Sequence, residues 1–186
     1  MLKKVMIHIS SYHTEASDEL FSYMFGENDP AENNANKHFP LEEDNDTDVE
    51  IDENVPIEMS TEGVLFVSAG GKVTLSYDET EISGMAGAKT SVVFDKSNDG
   101  LVTMMRQGSV NTALVFEQSS RHICVYETPY MPFELCVHTL KVDNCLLTEG
   151  RLYLDYIIEF RGAQAEHNLF TLTLTENDDH PKSISI

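Results

Sequence analysis

Tryptophan is absent from this 186-residue chain, and bases are scarce: 12 Lys and Arg stand against 32 Asp and Glu. The resulting formal charge of -20 repels phosphate backbones and anionic lipid, so neither nucleic acid nor a membrane surface is expected as a partner. Basic partners and divalent cations stay open. Cysteine is also sparse. Cys124, Cys136 and Cys145 are an odd number in a chain that is not cysteine-dense, which argues for a reduced, cytoplasmic protein over a disulfide scaffold. No apolar run reaches the length of a membrane helix, and the start, Met1 to Ile9, is too short in apolar residues for a signal-peptide core. Missing too are a Gly-rich phosphate loop, a nucleophile elbow, a His-Glu-x-x-His zinc motif and a basic-aromatic patch. The familiar phosphate, acyl-transfer and zinc-hydrolase signatures therefore find no support, and no cofactor is expected.

What the chain does contain is alternation. Apolar and polar residues alternate over 3–11, then over 57–68, 72–82, 88–95, 100–107, 110–117, 121–128, 133–143, 151–160 and 167–176. Turn signals separate these runs, among them Gly70-Gly71, Asn98-Asp99-Gly100, Gly108-Ser109 and Glu149-Gly150. Consecutive strands without intervening helices make a meander, and this many strands can close on themselves. The pattern predicts an all-β closed antiparallel barrel of about 8–10 strands. Residues 1–12 supply the first strand, 13–55 an acidic insertion, 56–176 the rest of the barrel and 177–186 a tail.

Within the insertion, Glu15 to Phe25 has helical spacing and predicts a short helix. Residues 42–53 hold eight acids and no base, which favours disorder or an extended loop, and residues 26–54 as a whole are expected to add little to the core. Asp44, Asp46 and Asp48 have the opening spacing of a calcium loop. Val49 replaces the required turn glycine and Val55 the closing glutamate, so the match fails.

The stretch Tyr77 to Thr90 stands out for chemistry. Alternation from Val73 and Leu75 carries Tyr77, Glu79 and Glu81 onto an apolar face, and in the run 100–107 Arg106 shares a face with Val102 and Met104. Charges facing a core are costly unless paired, so Arg106 is expected within salt-bridge reach of Glu79 or Glu81. Such a cluster is either a structural plug or a polar anchor at the base of a cavity. Tyr126, Thr128 and Tyr156 would line that cavity with hydroxyls. A different grouping, His122 and Cys124 opposite His138 and Cys136, suits zinc only if the strand register is right; buried cysteines with surface histidines are the plainer reading, and no metal is expected.

Taken together, Tyr77-x-Glu79-x-Glu81-x-x-Gly84, Thr90, Arg106-x-Gly108, Phe116, Tyr126-x-Thr128-Pro129-Tyr130 and Thr139 resemble the YwiB-like family, a bacterial domain-of-unknown-function group. The resemblance covers 3–11 and about 57–176, and it implies a calycin-like (lipocalin-like) barrel but no activity. Two features depart from it: the acidic segment 15–55 is longer than usual, and Met131-Pro132 follows the Pro-Tyr pair where glycine is general. Calycin-like barrels elsewhere mostly bind small molecules. The expectation is therefore a non-enzymatic barrel binding a small polar or anionic ligand through Tyr77, Glu79, Glu81, Arg106, Tyr126, Thr128 and Tyr156. The alternatives are a protein-interaction scaffold using the barrel surface and acidic loop, its protein partner unknown, and a hydrolase-type enzyme using Glu79 and Glu81.

Overall fold

Val5, Ile7 and Ile9 are buried while the residues between them are not, and this two-residue period repeats around the molecule. The computed structural model describes residues 1–15, 56–161 and 163–176. Its strands are β1 (Leu2–Glu15), β2 (Ile57–Val67), β3 (Lys72–Asp78), β4 (Lys89–Asp95) and β5 (Asn98–Gln107), followed by β6 (Asn111–Glu117), β7 (Arg121–Glu127), β8 (Pro132–Cys145), β9 (Arg151–Phe160) and β10 (Ala163–Glu176). Each pairs antiparallel with its neighbour in sequence, and β10 pairs with β1. The meander is thus a closed ten-stranded barrel, as the alternation predicts.

Several boundaries differ from expectation: Asn98-Asp99-Gly100, read as a turn, opens β5, β8 runs on to Cys145, and β10 begins at Ala163. The first strand runs on to Glu15, three residues into the segment assigned to the insertion, because residues 11–15 keep pairing with β10. The run read as a strand through residue 82 stops at Asp78 and gives way to a 3-10 turn, Glu81–Ser83, closed by Gly84 at φ 69°. Apart from Glu15, which ends β1, the expected helix in 15–25, the acidic run 42–53 with its calcium-like spacing, and the tail 177–186 lie outside the described residues. Among the described residues no helix is long and apolar enough to cross a membrane.

The barrel is filled unevenly along its axis. Ile7, Leu75, Val92, Met104, Phe116, Leu152 and Leu172 are wholly buried and pack one half of the interior, with Leu146 from the β8–β9 turn closing that end. Each such side chain contributes about 1.5–3 kcal/mol by leaving water. Toward the other end, where β1, β3, β5, β7 and β9 finish, the inward positions turn polar. The β6–β7 seam keeps its pairing at that end alone, at Asn111↔Glu127 and Thr112↔Tyr126.

Candidate functional site

Register places the site. Tyr77 lies opposite Thr90, Thr90 opposite Arg106, Arg106 opposite Thr112, Thr112 opposite Tyr126, and Tyr126 opposite Phe133. Directly paired residues point to the same side of a sheet, so this row crosses six strands on the inner wall. The facing wall has a second row, in which Thr139, Tyr156, Asn168 and His13 are paired in turn.

Between the two walls is a cavity of about 460 Å³, within the range of small-molecule sites. Polar lining comes from Tyr77, Glu79, Arg106, Tyr156, Glu166 and Asn168, and apolar lining includes Ile9, Met59, Leu114, Phe133 and Leu135. Glu79 follows β3, where its N–H still donates to the Ala88 carbonyl at 2.9 Å, so its side chain keeps the inward direction of Tyr77. Arg106 Nε lies 3.7 Å from Glu79 Oε1, and the Thr90 hydroxyl donates to that same oxygen. The expected ion pair therefore forms, with Glu79 as the partner.

Several buried polar atoms stay unsatisfied. Arg106 Nε, Asn168 Nδ2 and the Thr139 hydroxyl have no hydrogen-bond partner among the described residues. Burial pushes the Tyr156 phenol up to about 12, the Arg106 charge opposing the shift. Burial, reinforced by the Glu79 carboxylate, raises Tyr77 still further. Both are neutral hydroxyls at ordinary pH, and Tyr156 also packs edge-on against Phe116 with centroids 4.8 Å apart.

Five of the seven residues singled out from the sequence line this cavity: Tyr77, Glu79, Arg106, Tyr126 and Tyr156. Two do not. Glu81 is exposed, because the 3-10 turn ends the strand period that would have turned it inward. The Glu79/Glu81 acid–base pair is accordingly not assembled. Thr128 falls just beyond β7, where its hydroxyl donates to the Met131 carbonyl at 2.8 Å and accepts from the Tyr130 and Met131 N–H groups. It locks a turn and lies outside the cavity. Asn168, Glu166 and His13 were missed, although Asn168 alternates with Phe170 and Leu172 on an inward face and was visible on that ground.

The zinc arrangement fails on register. Cys124 pairs with Leu135 and Cys136 with Ile123, while His138 pairs with Arg121 and His122 with Val137. This one-residue offset sends Cys124 inward and Cys136 to the outer face. Among the described residues no cluster of three or more His, Cys, Asp or Glu could hold a metal ion.

Comparison with known proteins agrees with this architecture. The sequence model of a domain of unknown function, DUF1934, matches residues 44–172. The crystal structure of ywiB protein from Bacillus subtilis is similar at a TM-score of 0.63 and 21% identity, covering 95% of this chain and 93% of that one. No curated protein matches the chain in sequence.

Proposed function

We propose a function for this chain, which belongs to the DUF1934 family: it is a binding barrel that holds a small molecule, by a polar head, in the cavity beside Arg106 and Glu79. One observation carries the reading. The barrel interior is packed in one half and hollow in the other, and the hollow half holds buried polar atoms without partners. Leaving a buried donor unmade costs about 1–3 kcal/mol, so a ligand that accepts from Arg106 Nε and Asn168 Nδ2 recovers the free energy those unpaired donors forgo. The alternative of a scaffold with a side-chain-filled interior is favoured less by a cavity that reaches Arg106. An enzymatic role for a glutamate pair has lost one member, Glu81, to the surface. A water-facing exterior fits a cytoplasmic setting: Glu58, Ser60, Glu62 and Lys72 are exposed on the outer face, where a membrane barrel carries an apolar band.

The test is a fragment screen followed by the methyl NMR signals of Met59 and Met85, which line the cavity, and of Leu147, which is exposed outside it. Binders are expected to shift Met59 and Met85 and leave Leu147 in place. A screen in which no fragment moves the two methionines would overturn the reading.

A further inference from the structure

The cavity's charges narrow the ligand class, on the premise that it is a binding site as proposed above. Arg106 is its arginine, and the Glu79 carboxylate beside it offsets that charge. The guanidinium is already committed to Glu79, at 3.7 Å. An anionic head would therefore meet an arginine whose charge is already offset and, beside it, a carboxylate of its own sign, inside a chain of formal charge -20. A cationic head would suit the Glu79 carboxylate but would leave the donors of Arg106 and Asn168 facing a group that accepts nothing.

We infer that the ligand's head is uncharged and carries a hydrogen-bond acceptor beside a donor, as a carboxamide or lactam does, on an apolar body. Arg106 and Glu79 stand side by side as donor and acceptor. Arg106 Nε lacks a hydrogen-bond partner, and Glu79 uses Oε1 for the Thr90 hydroxyl. A carbonyl oxygen accepting from Arg106 and an N–H donating to Glu79 would complete both without adding charge. Asn168 supplies the independent sign of an unfilled acceptor position: it is 7% exposed, lines the cavity, and its Nδ2 has no partner. Phe133 and Leu135 offer the apolar body its wall. A site built to hydrogen-bond one group rejects analogues lacking it, because its own polar atoms are then left unpaired.

Three probes with the same phenylpropyl frame separate the cases: 3-phenylpropanamide, 3-phenylpropanoate and 3-phenylpropylammonium, titrated into the wild-type protein while the Met59 and Met85 methyl signals are followed. The amide is expected to bind at least tenfold more tightly than either charged probe. Equal or tighter binding of the carboxylate or the ammonium overturns the uncharged head and leaves the cavity's role as a binding site intact. If none of the three shifts the cavity methyls, both readings fall. In Glu79→Gln, Arg106 loses its counter-charge, so the carboxylate should gain at least tenfold relative to the amide. An unchanged ranking in a folded variant contradicts the role given to Glu79, and should that variant not fold, the wild-type series decides alone.

Discussion

Arg106 and Glu79 form an ion pair at the hollow end of the barrel, Nε to Oε1 at 3.7 Å, with side chains 16% and 3% exposed. The pair joins two strands that are not neighbours, β5 and the end of β3, across the β4 residue Thr90. Removing one member strands the other in a dry site. Arg106→Met should cost about 3 kcal/mol, the low end for a buried pair because the arginine keeps some exposure. Adding Glu79→Gln should recover part of that loss, since contacting residues are non-additive. Urea denaturation of the two single variants and the double variant checks this; simple additivity would mean the residues do not interact.

Alkaline titration should report on the buried phenols. Tyr156 is raised from 10.0 to about 12 by burial, so between those values the unfolded chain releases this proton and the folded barrel keeps it. The folded state then binds more protons, and stability falls as pH rises across that window. Two pH units correspond to about 3 kcal/mol for this group. Tyr156→Phe should flatten the decline above pH 10, which denaturation midpoints measured from pH 9 to 12 would reveal. An unaltered slope would mean Tyr156 is not held neutral.

Thiol accessibility follows from the strand register. Cys124 faces inward at 7% exposure, and burial raises its thiol; Cys136 and Cys145 are half-buried on other surfaces. Iodoacetamide at pH 8, read by mass spectrometry, should modify Cys136 and Cys145 well before Cys124. Early labelling of Cys124 would place it on the outer face and reverse the register of β7.

Gly108, at φ 137°, lets the β5–β6 turn approach the loop that holds Glu79. A Cβ there would meet Gly87 O at 2.5 Å and Ala88 Cα at 2.9 Å, both main-chain atoms that cannot swing aside. Gly108→Ala should cost about 3 kcal/mol from the clash and the backbone strain together. Gly84, also at positive φ but with nothing within 4 Å of the added carbon, should lose only about 1 kcal/mol on change to Ala. Equal losses in denaturant would show that the Gly87–Ala88 contact is not tight.

Alternation made the barrel legible, because one face of every strand had to be apolar and most reversals carry Gly, Asn or Pro; the β6–β7 turn, Gln118-Ser119-Ser120, carries none of them. It also carried Arg106 and Glu79 to the same interior, since a charge on an apolar face needs a partner. The same rule failed where the backbone left the strand. Glu81 and Thr128 keep a strand's spacing on paper, but a 3-10 turn and a hydroxyl-locked turn set their directions. Asn168 and His13 join Tyr156 only through pairing among β1, β9 and β10, the contact that closes the barrel from opposite ends of the chain. No local pattern encodes that proximity. The Cys–His coincidence was lost to a single residue of register, which turn composition alone did not fix.

The most direct test is a crystal structure of the protein soaked with 3-phenylpropanamide. The account predicts the probe inside the barrel, its carbonyl oxygen within hydrogen-bond distance of Arg106, its amide nitrogen on Glu79 and its ring against Phe133 and Leu135. A cavity without the probe at saturating concentration, or a probe bound with its amide turned away from Arg106 and Glu79, would contradict it.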